Sequence, residues 1–249
     1  MTPEDSKQSL VSATVPTPDL PKQLEAKEQE VRNAHADLES ILYAISHDLK
    51  SPLRAIMTSS MILQEDFGGQ LGNEGIAELH RLDQSAQKIK LIMQEVLKLS
   101  RLSRQPIVRT TLDLVPLIRE HASAISAGLV ESLELPDILM VYADPELAAR
   151  IVHNLLDNSW KFRNGARRLR VTVSSEGPRI SFRDNGIGWS PERAPRCLLP
   201  FERIHGDEYP GIGMGLAIVK AIVMKHRGSV GVGGGPDDGA EVWFDLAGE

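Results

Sequence analysis

Apolar residues recur at helical spacing through the first hundred positions. Leu24, Val31, Leu38 and Ile45 lie seven residues apart, with Ala34 and Ile41 between them, which predicts a coiled-coil-like helix over about residues 22 to 66. Lys27 weakens the first heptad. Leu38, Leu42, Ile45, Leu49 and Leu53 define a stripe expected to be buried, and His47 lies off it, so His47 should be exposed. The run Phe67, Gly68, Gly69, Gln70, Leu71, Gly72, Asn73 reads as a helix stop, a loop and a new N-cap. A second helix follows, in which Leu79, Leu82, Ala86, Ile89, Met93 and Val96 alternate at three and four, and Leu99 and Leu102 extend the apolar character. Two long helices with a short connection form a hairpin, and two hairpins close a four-helix bundle. The expectation is a homodimer; the alternative is a hairpin that packs only on the rest of its own chain.

The pattern changes at Arg104, Gln105 and Pro106, where the second helix breaks. Residues 107 to 112 read as a strand, and Asp113 can cap a helix to about Ala127. Residues 132 to 135 and 138 to 142 read as a hairpin, and Asp144 followed by Pro145 starts another helix. Strands are expected over 169 to 175 and 179 to 183, a helix over 214 to 227, and closing strands over 229 to 232 and 241 to 246. The fold class is therefore α+β, a helical hairpin followed by helices layered on a mixed sheet. Three segments result: a disordered tail over residues 1–20, mixing Ser, Thr, Pro and acidic residues; the hairpin unit over 21–105; and the sheet unit over 106–249.

Composition narrows the partners. The 249 residues are 41% hydrophobic, enough for a substantial core, and a net charge of −6 argues against nucleic acid as a partner. Arg167, Arg168 and Arg170 form only a local basic cluster. The single cysteine, Cys197, excludes an internal disulfide and a cysteine-based metal cluster. No apolar run approaches the roughly 20 residues of a membrane span, and the N-terminus lacks a signal-peptide pattern, so a cytoplasmic chain without direct membrane insertion is expected.

Four polar constellations stand out against this background. His47 is followed directly by Asp48, whose carboxylate can hold one ring N–H and leave the other ring nitrogen nucleophilic; Pro52 removes a backbone donor one turn later and should bend the helix there. Asn154, Asn158 and Lys161 share one helical face, where amide oxygens suit Mg²⁺ and the lysine suits a phosphate. Asp184 ends a strand just before Gly186 and Gly188, so its carboxylate can accept from an adenine amino group while the glycines admit the ring. Gly211, Gly213 and Gly215, with Leu216, open the last long helix, where backbone N–H groups can face phosphate oxygens.

In order and spacing these stretches resemble the catalytic core of sensor histidine kinases. Residues 46 to 53 are similar to the H box, most closely to that of the phytochrome-like branch. Residues 154 to 162 resemble the N box of the histidine kinases and the wider GHKL ATPases, 184 to 188 the G1 box, 200 to 206 the F box and 211 to 216 the G2 box. The resemblance implies that the α/β unit is a GHKL-type sandwich binding ATP with Mg²⁺. His47 would accept the phosphoryl group with Asp48 as general base. Asn158 would coordinate Mg²⁺ with support from Asn154, Lys161 would contact the terminal phosphates, and Phe162 would lie near the nucleotide. Asp184 would read adenine, Gly186 and Gly188 would shape the pocket, and residues 189 to 210 would form a lid from which Arg203 reaches a phosphate. Pro195 and Pro200 would stiffen or shorten the lid's helix. The next acceptor would be an aspartate on the receiver domain of a separate response regulator. With 46 residues before His47, the expected input is a separate sensor polypeptide or a region from which this chain is a fragment. The rival functional class is a non-catalytic adaptor that docks a receiver or a kinase through its bundle. A GHKL-type ATPase or protein serine kinase is a third reading, one that would not need the H box or its hairpin.

Overall fold

A computed structural model describes residues 20–206 and 208–246. The expected tail therefore lies outside the described residues, apart from Leu20. Helix α1 spans Leu20–Arg104 and reverses at Gly72, whose φ of 63° and ψ of 178° are its non-helical angles. The turn is tighter than expected. Gly68 and Gly69 stay helical, although glycine in a helix interior costs about 1 kcal/mol relative to alanine, and one glycine with positive φ makes the whole reversal. Pro52 sits inside the first arm, where residues retain helical angles.

The two arms meet through Leu53, Ala86 and Met93, which are buried together with Ser46 and Ser60. Ser60 Oγ donates to the Leu79 carbonyl at 3.4 Å, tying the arms near the turn. The expected stripe splits into two faces. Leu53 is buried, but Leu38, Ile45 and Leu49 are exposed, and on the second arm Leu82 and Ile89 stay open while Ala86 and Met93 are buried. Heptad spacing is kept on each face, so one stripe packs within the chain and a second faces outward.

Beyond the hairpin, β1 (Thr110–Asp113) leads into α2 (Leu114–Ile125), where Asp113 Oδ1 accepts the Val115 N–H at 3.0 Å. A short α3 (Ala127–Val130) and β2 (Leu133–Glu134) follow. The hairpin expected next does not form. β2 pairs parallel with β4 (Val171–Glu176), whereas β3 (Met140–Ala143) pairs antiparallel with β1. The same Asp113 oxygen takes the Leu139 N–H at 2.9 Å, directing the chain after Pro136 to β1. Asp144 caps α4 (Pro145–Lys161) by accepting the Leu147 N–H at 3.1 Å.

The main sheet runs β2, β4, β5, β7, β6, with β5 (Arg179–Asp184), β6 (Val230–Gly235) and β7 (Gly239–Phe244) antiparallel to their neighbours. Val171, Val173, Ile180, Phe182, Val242 and Phe244 alternate onto one face. That face is covered by α2, α4 and α5 (Gly215–Lys225), which bury Ile118, Ile151, Leu155, Val219 and Ile222 against it. Leu102 of the second arm joins the same core.

Candidate nucleotide site

The polar face of α4 follows from its pattern. Ile151, Val152, Leu155 and Leu156 face the sheet, so Asn154, Asn158 and Lys161 are left on the opposite side. They line a cavity of about 610 Å³ together with Phe162, Asp184, Gly188, Arg203 and the glycine segment 211 to 215. The second arm closes one wall through Leu91, Glu95, Lys98, Leu99 and Leu102, a contribution with no local signal in the sequence.

Asn154 Nδ2 donates to the Arg150 carbonyl at 2.7 Å, which turns Oδ1 toward the start of α5. A Cβ on Gly215 would come within 3.1 Å of that oxygen, 3.6 Å of Asn158 Nδ2 and 3.8 Å of Asn158 Oδ1. The two side-chain amides therefore face the first turn of α5 across a gap that glycine keeps open. Leu216, the next residue, is buried in the core and also lines the cavity.

Lys161 Nζ lies 4.3 Å from the Phe162 ring centroid, and a Cβ on Gly211 would be 3.3 Å from it. Burial holds its pKa below the usual lysine value; Asp157 opposes this and Arg203 adds to it. A poorly solvated ammonium next to a glycine loop is set to take an anion.

Asp184 closes β5 with both oxygens engaged. Oδ1 accepts from Gly186 N at 2.8 Å and Ala240 N at 3.3 Å, and Oδ2 accepts from Ser159 Oγ at 3.1 Å. Burial pushes its pKa up, and these hydrogen bonds pull it back. Ser159 is a site residue that spacing did not reveal, because its partner lies 25 positions away. Gly188 has a φ of +64°, and a Cβ there would sit 1.9 Å from the Gly235 carbonyl. A Cβ on Gly186 would sit 2.5 Å from the Phe162 carbonyl. Arg167, also not singled out for the site, clamps this turn by donating to the Gly186 carbonyl at 2.9 Å.

Among its described residues, the segment expected as a lid carries one helical element, the 3₁₀ turn Ala194–Leu198, with Pro195 in its first turn. Trp189 is buried and donates to the Gly233 carbonyl at 2.9 Å. His205 and Tyr209 rings stand 5.2 and 5.0 Å from the Phe162 ring, clustering around the aromatic side chain that Lys161 faces. Arg203 lines the cavity and donates to the Tyr209 carbonyl at 2.7 Å. Gly213, with a φ of +75°, lets the loop pass the Glu202 carbonyl, which a Cβ would approach to 2.4 Å. His47 and Asp48 are not part of the cavity lining. They stand on the first arm, Nδ1 and Oδ1 separated by 3.1 Å, with side chains 73% and 81% exposed.

Among the described residues no helix is long and apolar enough to cross a membrane. Two family models match the chain. Residues 37–105 match the His Kinase A (phospho-acceptor) domain, and residues 143–248 match the histidine kinase-, DNA gyrase B-, and HSP90-like ATPase. The chain is 29% identical over 227 residues to cyanobacterial phytochrome B of Nostoc sp. strain PCC 7120, covering 87% of this chain and 30% of that protein. It is 25% identical over 236 residues to the phytochrome-like protein Cph1 of Synechocystis sp. strain PCC 6803, covering 90% of this chain and 31% of that one. The chain thus spans about a third of the length of these relatives. Among solved structures, full-length ShkA in complex with AMPPNP matches with a TM-score of 0.55 and 27% identity, over 82% of this chain and 44% of that one. With a phospho-acceptor hairpin joined to a nucleotide-binding sandwich, the chain belongs to the sensor histidine kinases.

Proposed function

We propose that this chain is the catalytic core of a two-component histidine kinase, which phosphorylates His47 from ATP and passes the phosphoryl group to an aspartate of a separate response regulator. The observation that carries the reading is the convergence of Asn154, Asn158, Lys161, Asp184 and the glycine segment on one cavity. In this reading residues 21–105 form the dimerisation and phosphotransfer unit and residues 106–249 the catalytic unit. The outward stripe of Leu38, Ile45, Leu49, Leu82 and Ile89 supports a homodimer closed as a four-helix bundle.

The residues divide the work by their chemistry. Asp184 accepts from the adenine amino group, while Gly186 and Gly188 keep Cβ atoms out of the ring's path. The glycine segment from Gly211 to Gly215, which leads into α5, offers backbone N–H groups to the phosphates, and Lys161 and Arg203 add positive charge. The amide oxygens of Asn158 and Asn154 are hard, neutral ligands that fit Mg²⁺, and Asn158 would hold it. When bound, Mg²⁺ supplies charge neutralisation at the phosphate oxygens. Asp48 accepts the Nδ1 proton of His47, fixing the tautomer whose Nε2 lone pair points outward as the nucleophile. That nitrogen forms the N–P bond as the bond from the γ-phosphorus to the bridging oxygen breaks, and ADP leaves with the bond's electron pair.

Incubation with γ-labelled ATP and Mg²⁺ tests the reading in the wild type and in His47→Gln. Label lost in acid, kept in base and absent from the variant is the expected result. A label stable in acid, or one retained by His47→Gln, would overturn it. ATP binding without any label would favour the adaptor.

A further inference from the structure

Helices α2 and α4 pack side by side, and each contributes one histidine to their seam. His121 of α2 and His153 of α4 have ring centroids 5.7 Å apart and planes inclined at 59°. Nothing in the nucleotide chemistry above uses His121, and His153 projects from the rim of the cavity, one residue before Asn154.

The separation has a chemical meaning. An imidazole nitrogen bonds zinc at about 2.0–2.1 Å, which puts each ring centroid about 3.2 Å from the metal; two rings at a tetrahedral angle then stand roughly 5.2 Å apart. The observed spacing is within a small side-chain rotation of that value. We propose that His121 and His153 form a two-imidazole chelate for a late first-row divalent cation, clamping α2 to α4 beside the nucleotide cavity. Imidazole suits Zn²⁺, Ni²⁺ and Cu²⁺. Among the described residues no group of three or more His, Cys, Asp or Glu is placed to hold a metal, so water completes the shell and exchange is easy. Burial and the neighbouring His153 both disfavour the charged form of His121, which keeps its lone pair available. Glu120, beside His121, favours positive charge at the seam, while Arg150, on the same side of α4, is ion-paired with Glu146 at 2.8 Å.

Isothermal titration of the untagged full chain with Zn²⁺ tests this, compared with His121→Gln and His153→Gln. His153 is exposed, so its variant should fold, as thermal unfolding without metal will verify. The expected result is a site of one equivalent in the wild type whose affinity falls at least tenfold in either variant. Saturating Zn²⁺ should also raise the wild-type unfolding midpoint by at least about 2 °C, and neither variant's. Zn²⁺ binding unchanged in His153→Gln, or no binding to the wild type up to about 1 mM, would overturn the proposal.

Discussion

His226 Nε2 accepts the backbone N–H of Asp144 at 3.1 Å, while its Nδ1 donates to the Ile222 carbonyl at 2.8 Å. The ring is fully buried and held as one neutral tautomer, since a proton on Nε2 would leave two donors facing each other. It joins the C-terminus of α5 to the cap of α4, the helix that carries the asparagine pair.

Burial is the main cause of a lowered His226 pKa. Arg109 and Lys225 add to it, and Asp144 and the bond to Ile222 oppose it. Below about pH 6.5 the unfolded chain gains a proton at this residue that the folded chain refuses, so stability rises with pH there. The contribution is complete above that pH and is lost as pH falls through it. Urea denaturation should therefore show a declining midpoint from about pH 7 to pH 5, and the decline should flatten in His226→Gln. His226→Ala should cost about 3 kcal/mol, from its cavity and the orphaned Asp144 N–H.

Ser159 has one hydroxyl proton and two acceptors within 3.1 Å, the Leu155 carbonyl and Asp184 Oδ2. The ionised carboxylate is the stronger acceptor. Ser159→Ala should weaken ATP binding roughly fivefold with little loss of fold, corresponding to about 1 kcal/mol. Asp184→Asn should cost far more, and nucleotide titration by fluorescence would rank the two. Equal affinities for wild type and Ser159→Ala would remove the brace from the binding account.

Gly215 separates two kinds of glycine requirement. Its backbone is helical, so alanine fits the chain, but the added carbon would enter the gap facing Asn154 and Asn158. Gly215→Ala should keep or slightly raise the thermal midpoint while ATP affinity falls at least about tenfold. Gly188→Ala, beside the Gly235 carbonyl, should instead lower the midpoint.

Ile89 and Ala86 lie on different faces of the second arm. Ile89→Glu places a charge on the outward stripe and should give a folded monomer in sedimentation. Ala86→Glu buries the charge between the arms and should unfold the hairpin. An Ile89→Glu variant that sediments as a dimer would move the interface elsewhere.

Asn158→Ala should abolish the Mg²⁺ dependence of ATP binding while leaving the adenine contacts at Asp184 in place. Titrations with and without Mg²⁺ provide the check; an unchanged Mg²⁺ dependence would remove Asn158 from the cation site.

Local patterns made much of this legible. Heptads marked both arms, Asp113 and Asp144 marked the starts of α2 and α4, and spacing placed Asn154, Asn158 and Lys161 on one face. What failed was non-local. β2 and β3 each look like half of a hairpin, and only their distant partners, β4 and β1, separate them. The apolar stripe of the first arm looked single because a heptad pattern does not distinguish a face buried within the chain from one left outward. Ser159 stands beside Asn158 in the sequence, but its contact with Asp184 depends on how α4 lies against β5.

Leu102, at the end of the hairpin, is 3% exposed and belongs to the core of the sandwich. The hairpin and sandwich are thus riveted together. For the two to separate, Leu102 and the partly buried Leu99 must be withdrawn into water; Leu102 alone costs about 2 kcal/mol, so at most roughly one molecule in thirty is detached at rest. Any turning of the second arm would bear first on Leu102 and on Leu99 beside it, so a torque on the hairpin is felt as strain in the wall of the nucleotide cavity.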